Sequence, residues 1–317
     1  MNTAEVPTGE DACLVVQSRL GLEPVQVHRF KAGLCHFVFR VEMAGGRKVV
    51  VRLSGPEARC FSEGGVYWNK LLRPIGVPLP EILLADLTPS DSIFPFVVLE
   101  FLEGTDLCAV YPTLSPNEKF ELATELVRIQ ESVSRLPHSS RFGYAFSYES
   151  SPIYRTWEEV ILVILRGAEE RMNKREHPGR LYADRTRQLL CSYTSYFSAV
   201  RPTPFLDDIT TKNVLVHQGR LSGIVDVDQI CFGDSLLTIG LTRMALMADS
   251  FDLDYIEHWM DLLKLDSQQR RIVNAYTLLF CVVFMSELGE RFNRAEAKDI
   301  DLTRYVHLES IFERLAI

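Results

Sequence analysis

Two aspartates and an asparagine stand at the ends of short apolar runs in the second half of the sequence. Asp208 lies shortly before Asn213, which precedes the run Val214–Val216, and Asp226 follows the run Leu221–Val225. Carboxylate and carboxamide oxygens are ligands that Mg²⁺ prefers, and a carboxylate can also orient or deprotonate an attacking hydroxyl group. Phosphoryl transfer needs little else from a protein besides cations around the phosphates. A lone loop aspartate more often caps a turn, but this combination favours magnesium-dependent phosphoryl transfer.

The same stretch resembles the catalytic segment of the aminoglycoside phosphotransferase family, relatives of protein kinases, whose usual form is H-G-D-x-x-x-x-N followed by I-D-W. The interval from Asp208 to Asn213 matches, and Asp226 falls where the family has its metal-binding Asp. The resemblance implies that Asp208 is the catalytic base and that Asn213 and Asp226 bind Mg²⁺. It also implies an α+β, protein-kinase-like fold, in which an N-terminal antiparallel sheet with one main helix precedes a mostly helical lobe that carries a catalytic hairpin.

The chain departs from the family pattern directly before the catalytic aspartate. Leu206 and Asp207 stand where family members have His and Gly, so the hydrogen bonds of that histidine must be lost or supplied by other groups. Asp207 is a rival for the role of base, but the interval to Asn213 favours Asp208. Asp234, in Phe232-Gly233-Asp234-Ser235, resembles the downstream G-D-P of the family, and the resemblance implies a supporting role.

The N-terminal third supplies weaker matches to the nucleotide site of the family. Gly33 lies where the family has its nucleotide-covering loop, and Arg52 takes the place of the strand lysine that contacts the α- and β-phosphates. A guanidinium can serve there by bidentate bonding. Glu63, in the following helix, is the candidate to pair with Arg52. Glu100 and Leu102 lie in a stretch that resembles the hinge, where backbone groups meet the nucleotide base.

The elements that must position these residues change in type near Gly104. Before it, short β-rich runs alternate with turns around one helix, which predicts a small antiparallel sheet. After it, amphipathic stretches predict helices, two of which begin at capping boxes. We expect a nucleotide-binding lobe at 1–103 and a catalytic and substrate-binding lobe at 104–317. The predicted strands are 25–30, 37–43, 48–53, 82–84, 94–101 and the hairpin 214–216 and 221–225; the predicted helices lie in 56–72, from Ser115, in 156–174, 183–199, 236–247, 268–287 and 302–315.

Composition narrows the partners of such an enzyme. The formal net charge of −8 and the pI of about 5.5 argue against a nucleic-acid partner, because such proteins gather an excess of Lys and Arg. The longest apolar stretch, Ala275–Met285, is shorter than the ~20 residues that span a bilayer, so we expect no membrane partner. We expect a cytoplasmic protein that uses Mg²⁺ and either ATP or GTP. The seven scattered cysteines indicate reduced thiols rather than a zinc or redox site.

The acceptor is expected to be a small hydroxylated molecule, and the residues leave its class open. Aminoglycosides, other hydroxylated antibiotics, amino alcohols and metabolic sugars all fit. The acidic balance mildly favours a cationic acceptor. An acidic set after the catalytic segment is able to receive amines, although most such runs are solvated faces. This acidic set consists of Asp249, Asp252, Asp254, Glu257 and Asp261.

Two other functions are compatible with parts of the pattern. The altered pair Leu206-Asp207 is compatible with a catalytically inactive, kinase-like binding module, although retention of all three magnesium-site residues argues against it. Two carboxylates near a metal are also compatible with a metal hydrolase. The lone histidines His36, His217 and His258 indicate structural or surface groups, because none has a His or Cys partner at ligand spacing.

Overall fold

The computed structural model describes residues 6–30, 36–88, 94–150, 152–174, 179–290 and 299–316. In these ranges an antiparallel sheet fills most of the N-terminal part, and helices dominate the rest of the chain. The predicted α+β class is thereby confirmed. The predicted lobe boundary between residues 103 and 104 stays a prediction.

Five strands form the N-terminal sheet, and every neighbouring pair in it is antiparallel. They are β1 (Pro24–Phe30), β2 (His36–Met43), β3 (Lys48–Ser54), β4 (Ile82–Asp86) and β5 (Phe96–Glu100). Their order across the sheet is β1-β2-β3-β5-β4, and each coincides with a predicted strand. Alternate side chains of β2 and β3 are buried, since successive residues of a strand point to opposite faces. The buried face packs with α1 (Gly9–Val15), which a π-helical turn at Val16–Leu20 continues, into a small core.

Helix α2 (Arg59–Leu72) connects this sheet to the rest of the molecule. A 3₁₀ turn at Pro56–Ala58 leads into it, and together they cover the stretch 56–72 in which the sequence predicts one helix. Trp68 and Leu72 on its buried face belong to the large core of the C-terminal part. Trp68 Nε1 also donates to the Ala145 carbonyl oxygen at 2.8 Å. Helix α2 is therefore fixed to the helical part as well as to the sheet.

The C-terminal part combines helices with two small sheets of three strands each. In the described ranges no helix is both long enough and apolar enough to cross a membrane. The strands are β6 (Thr105–Asp106), β7 (Gly143–Ala145), β8 (Thr203–Phe205), β9 (Val214–His217), β10 (Arg220–Ile224) and β11 (Ile230–Gly233), in the orders β10-β9-β6 and β7-β11-β8. The helices are α3 (Leu107–Val110), α4 (Pro116–Ser134), α5 (Trp157–Asn173), α6 (Arg180–Cys191), α7 (Thr194–Ala199), α8 (Leu236–Ala248), α9 (Asp254–Leu262), α10 (Ser267–Glu287) and α11 (Leu302–Leu315).

Both predicted capping boxes are present. The Ser115 hydroxyl accepts from the Glu118 N–H, and the Glu118 carboxylate accepts from the Ser115 N–H. Thr156 and Glu159 make the same pair of bonds at the start of α5. Each box satisfies N–H groups that have no partner within the first turn of a helix, which explains why these two starts are readable from sequence.

One helical prediction differs from the structure, and helices α1, α3 and α9 were not predicted. The single helix expected over 183–199 is wrong, because α6 ends at Cys191 and α7 begins at Thr194. Ser192 Oγ donates to the Leu189 carbonyl oxygen at 2.6 Å, a local bond that competes with helical continuation. Helix α9 was not predicted, because its sequence was interpreted as an acidic run. Its buried face consists of Tyr255, Ile256, Trp259 and Met260.

Candidate active site

The hairpin of β9 and β10 places the two predicted metal ligands next to each other. Asn213 directly precedes β9 and Asp226 follows β10, and Val214 pairs with Ile224 across the strands. The Val225 N–H donates to the Asn213 carbonyl oxygen at 2.9 Å. The turn at the other end is Gln218-Gly219, with positive φ at both residues, as a two-residue hairpin requires. The predicted hairpin is thus confirmed, and it brings Asn213 and Asp226 to one end.

Asp208 lies in the loop between β8 and β9 and is held by local hydrogen bonds. Thr210 Oγ1 donates to Asp208 Oδ1 at 3.0 Å, and Asn213 Nδ2 donates to the Asp208 carbonyl oxygen at 2.9 Å. The side chain is reachable by solvent, yet protein atoms surround it, as at the floor of a cleft. This burial raises the pKa of Asp208 to about 6; the Thr210 hydrogen bond opposes the rise, and the negative charge of Asp226 adds to it.

Asp207 has different neighbours. Tyr144 on β7 and Cys231 on β11 pair across the second small sheet, and both interact with the Asp207 carboxylate. Burial and, to a smaller extent, the charge of Asp208 raise the pKa of Asp207 to about 7, against hydrogen bonds that include one with Tyr144. Asp208 is the more exposed of the two carboxylates. The geometry therefore favours Asp208 as the one that meets a substrate.

Gln130 of α4 braces the loop that contains Asp208. It does so at Leu206, the residue that stands where the family motif has a histidine. The Leu206 N–H donates to Gln130 Oε1 at 2.9 Å, and Gln130 Nε2 donates to the Leu206 carbonyl oxygen at 2.7 Å. Thr238 Oγ1 of α8 donates to the same carbonyl at 2.8 Å. The Leu206 side chain itself is buried in the large core. Of the two possibilities that the sequence leaves open for this loop, the second is observed, because α4 and α8 supply hydrogen bonds to it.

The substitution Gln130→Met is expected to destabilise the loop and lower turnover. It keeps the length of the side chain but leaves the buried Leu206 N–H without its acceptor, which costs roughly 1–3 kcal/mol. Urea denaturation and steady-state kinetics measure both effects. Gln268→Met, at an exposed position of α10, is the matched control. Equal stability of the two variants would contradict the bracing role.

Asp234 supports the loop indirectly. It accepts hydrogen bonds from Tyr196 Oη at 3.0 Å, from Tyr276 Oη at 2.9 Å and from the Leu236 N–H at 3.1 Å. The last bond secures the start of α8, two residues before Thr238. The supporting role implied by the sequence thus has a structural basis in the placement of α8.

Arg52 on β3 reaches across to the catalytic hairpin. Its Nη2 donates to Asp226 Oδ1 at 3.0 Å and to Asp228 Oδ2 at 2.7 Å. Asp228 was not singled out from the sequence, although its position two residues after Asp226 is a signal. Burial raises the pKa of Asp228, but the charge of Arg52 and the hydrogen bond with His36 outweigh burial, so the pKa lies below its usual value.

Glu63 is not the partner of Arg52, so that prediction is wrong. Arg59 Nε donates to Glu63 Oε1 at 2.8 Å, one turn earlier on α2, and both side chains are about half exposed. The face of α2 toward Arg52 carries Gly65 instead, where an added Cβ would lie 2.6 Å from Asp228 Oδ1. Asp228 therefore fills the space that a side chain from α2 would need.

The remaining predicted nucleotide residues are placed as follows. Gly33 lies outside the described residues. Leu102 packs against β10, because an added Cβ on Gly223 would lie 2.3 Å from Leu102 Cδ1. Within the described ranges no hydrogen bond engages the Leu102 N–H. The Glu100 N–H, in contrast, donates to the Glu81 carbonyl oxygen at 2.8 Å. Of these two hinge candidates, Leu102 is the one with a donor available for a nucleotide base.

The donor atoms at the end of the hairpin suit a hard cation. Asn213 Nδ2 is committed to the Asp208 carbonyl, so its Oδ1 remains as a ligand. Asp226 adopts a φ of 63°, which Asp tolerates better than most residues, and 42% of its side chain is exposed. A carboxylate and a carboxamide oxygen at one open site fit Mg²⁺.

The acidic set is mostly engaged within the protein. Asp249 accepts from Arg304 Nη2 at 2.9 Å, and Lys119 Nζ donates to Asp252 at 2.7 Å. Arg270 bonds to both Glu257 and Asp261. These four carboxylates hold the C-terminal helices together, so the set is a poor site for the amines of a ligand.

A different carboxylate lies near Asp208. Glu287, at the end of α10, interacts electrostatically with Arg171, Lys212 and Asp208. Burial raises the pKa of Glu287, and the two cations oppose the rise. In the described part of the chain, no hydrogen bond or close ion pair engages its carboxylate. Glu287 is thus a candidate contact for a ligand that binds at Asp208.

The fold is similar to solved structures of aminoglycoside phosphotransferases. A thermostable variant of aminoglycoside phosphotransferase APH(4)-Ia, in a ternary complex with AMP-PNP and hygromycin B, matches with a TM-score of 0.65 and 16% identity over 98% of each chain. The GDP complex of aminoglycoside 2′-phosphotransferase-IIIa matches with a TM-score of 0.68 and 16% identity over 97% of each chain. ADP-bound APH(2″)-Ib matches with a TM-score of 0.64 and 12% identity over 98% of each chain. At such identities the likeness establishes the fold.

Comparison with curated protein sequences gives no significant match. A sequence model of the phosphotransferase enzyme family, however, matches residues 27–259. The matched region contains Arg52, the catalytic hairpin with Asn213 and Asp226, and the loop with Asp208. It extends over most of the chain, from the N-terminal sheet into α9. The chain therefore belongs to the phosphotransferase enzyme family.

Proposed function

We propose that the protein transfers the γ-phosphate of ATP or GTP to a hydroxyl group of a small molecule in a magnesium-dependent reaction. The observation that carries this proposal is the convergence of Asp208, Asn213 and Asp226 at one end of the hairpin, with Arg52 bonded to Asp226 from the N-terminal sheet. Oxygen ligands, a carboxylate beside them and a cation are the protein groups that phosphoryl transfer requires.

Each group has a separate role in the proposed reaction. Asn213 Oδ1 and the Asp226 carboxylate hold Mg²⁺, which neutralises charge on the nucleotide phosphates when it is bound. Arg52 binds the α- and β-phosphates, and the Leu102 N–H meets the base. Asp208 orients the acceptor hydroxyl for in-line attack and takes its proton. Positioning by these groups supplies most of the rate enhancement.

An aminoglycoside is the first acceptor to examine, and such an activity would confer antibiotic resistance. Support comes from the fold of known aminoglycoside phosphotransferases and from Glu287, a carboxylate able to receive a ligand amine near Asp208. Amino alcohols and metabolic sugars share the required hydroxyl group and belong in the same test. A catalytically inactive binding module is the competing proposal from another class.

A nucleotide-consumption screen tests the proposal. The purified full chain is incubated with MgATP or MgGTP and a panel of aminoglycosides, amino alcohols and sugars, and phosphorylated products are identified by mass spectrometry. Acceptor-dependent consumption is the expected result. Thermal stabilisation by MgATP or MgGTP without turnover on any acceptor would indicate the binding module, because nucleotide binding to the native state raises stability. If the screen detects neither acceptor-dependent consumption nor thermal stabilisation by nucleotide, the proposed function is refuted.

Glu287→Gln is expected to weaken binding of a cationic acceptor. The substitution removes the negative charge without changing side-chain size, so KM for such an acceptor rises about tenfold while KM for the nucleotide is retained. The acceptor identified by the screen is used for this measurement. Glu125→Gln, at an exposed position of α4, is the control. An unchanged acceptor KM would remove Glu287 from the acceptor site.

The reaction is expected to require deprotonated Asp208. Since burial raises the pKa of Asp208 to about 6, activity rises with pH through this value and becomes level above it. On the acidic limb kcat/KM falls about tenfold per pH unit. Because the pKa of Asp207 is raised to about 7, Asp207 is mostly protonated on this limb, and Asp207→Asn is expected to leave the limb where it is. A profile that is flat from about pH 5 to pH 8 would contradict the assignment.

A further inference from the structure

Asp228 is a buried carboxylate that has no role in the proposed reaction as described above. It lies two residues after Asp226, and its side chain meets residues of the N-terminal sheet. We propose that Asp228 is a positioning residue that holds the Arg52 guanidinium beside Asp226 for binding of the nucleotide phosphates, the part that the sequence assigned to Glu63. This inference rests on the proposed function, because Arg52 meets phosphates only when a nucleotide is bound.

The hydrogen bonds of Arg52 are the first support. Its Nη2 lies 2.9 Å from Oδ1 and 2.7 Å from Oδ2 of Asp228, and 3.0 Å from Oδ1 of Asp226. The Arg52 and Asp228 side chains expose 11% and 10% of their surface, whereas Asp226 exposes 42%. Charged hydrogen bonds shielded from water are strong and fix geometry. Asp228 therefore holds the guanidinium, and Asp226 is the carboxylate open to a ligand.

Asp228 is itself oriented by a series of buried polar groups. His36 Nε2 lies 2.7 Å from Asp228 Oδ2, and His36 Nδ1 lies 2.9 Å from Ser54 Oγ. Ser54 Oγ lies 2.6 Å from Ser62 Oγ on α2. His36, Ser54 and Ser62 are all buried. Because buried polar groups are costly to leave unsatisfied, this network keeps the carboxylate in one orientation.

Two consecutive glycines in the middle of α2 make room for Asp228. An added Cβ on Gly64 would lie 2.1 Å from the Asp228 carbonyl oxygen, and one on Gly65 would lie 2.6 Å from Asp228 Oδ1. Glycine inside a helix lowers helix stability relative to alanine, so this pair needs a reason. The close approach of Asp228 supplies it. Helix α2 thus contributes space for the carboxylate, and the hairpin contributes the charge.

A metal ion is the competing occupant of this place, since ligand atoms of His36, Asp226 and Asp228 lie within 4.8 Å of one another. The contacts favour the positioning role. Both oxygens of Asp228 already accept hydrogen bonds from Arg52, and a cation bound between them would face the repulsion of the guanidinium. The two roles predict different results for a variant at Asp228. A positioning role predicts weaker nucleotide binding without metal, whereas a metal ligand predicts a higher Mg²⁺ requirement.

The test measures binding of a fluorescent ATP or GTP analogue to the full chain in EDTA, where no metal contributes. Asp228→Asn keeps the size of the side chain and removes its charge, and the dissociation constant is expected to rise about tenfold or more. Arg52→Gln is expected to cause a similar rise, and the double variant no further rise, because the two residues act together. Asp86→Asn, the same change at a carboxylate of β4 that pairs with Arg19, is the matched control.

Gly65→Ala is a second variant that disturbs the carboxylate without changing any charge. The added methyl group displaces Asp228, so the dissociation constant is expected to rise here as well. An unchanged metal-free dissociation constant in Asp228→Asn, with a higher Mg²⁺ requirement for turnover, would overturn the proposal in favour of a metal ligand. Independent, additive effects of Asp228→Asn and Arg52→Gln would also overturn it. If the wild-type chain binds no nucleotide and consumes none, the proposed function itself fails.

Discussion

Asp226→Ala is expected to reduce turnover by about 1,000-fold or more, because a metal at this site contributes several kcal/mol of transition-state charge stabilisation. The Asp226 carboxylate lies within hydrogen-bond distance of Arg52, and Asn213 lies at the same end of the hairpin. Its loss removes the only charged ligand proposed for Mg²⁺. Turnover is measured at saturating nucleotide with the acceptor found by the screen.

The backbone at Asp226 requires a control. Its φ of 63° lies in the left-handed region, where alanine is disfavoured and asparagine and glycine are tolerated. Asp226→Gly removes the carboxylate without that strain, so it is expected to lose turnover equally while unfolding close to the wild-type urea concentration. Near-normal phosphorylation by either variant would exclude Asp226 from the metal site.

The phosphate side of the site was predictable because it is local. Asp208, Asn213 and Asp226 belong to one hairpin with its preceding loop, so their spacing in the chain largely determines their spacing in the fold. Two short apolar runs predicted the strands, and the turn between them, which contains Gln218-Gly219, predicted how they connect. The predicted hairpin and its preceding loop already bring these three residues together, and the resemblance to the family then assigned a role to each.

The support of the site was not predictable in the same way. Gln130 lies 76 positions before Leu206, and nothing in its helix distinguishes it from a surface glutamine. The predicted pairing of Glu63 with Arg52 was wrong. The sequence places Glu63 in the helix that follows β3, but it does not show which face of that helix meets Arg52. The glycine pair Gly64-Gly65 was the available signal, since two glycines inside a helix indicate close approach by another group.

The acceptor side was the least accessible from sequence. The acidic set after the hairpin looked able to receive amines, but its cationic partners come from distant elements. Arg304 lies on α11, Lys119 on α4 and Arg270 on α10, and each neutralises a carboxylate of that set. Glu287, which interacts electrostatically with Asp208, is the last residue of α10 and belongs to no sequence motif. The candidate acceptor contact therefore depends on tertiary placement rather than on a motif.

Asp208→Asn is expected to lower kcat by about 10²–10⁴-fold, the usual contribution of a positioned base, while nucleotide affinity is retained. The amide is isosteric with the carboxylate, and its oxygen can keep the hydrogen bond that Thr210 donates to Oδ1. The variant therefore loses the ability to accept a proton without losing the loop conformation. Single-turnover kinetics separate this chemical step from product release, and binding of the fluorescent nucleotide verifies the site.

Asp207→Asn decides between the two adjacent carboxylates. Burial raises the pKa of Asp207 to about 7, so near neutral pH this group is partly protonated, and an amide resembles its protonated form. Its interactions with Tyr144 and Cys231 serve the small sheet β7-β11-β8 rather than the cleft. We therefore expect Asp207→Asn to retain turnover within about tenfold of wild type, well above Asp208→Asn. Only a carboxylate that reaches the acceptor hydroxyl can take its proton, so the variant with the larger loss of turnover identifies the base. A larger loss in Asp207→Asn would make Asp207 the base. The family-like interval from Asp208 to Asn213 would then be a coincidence.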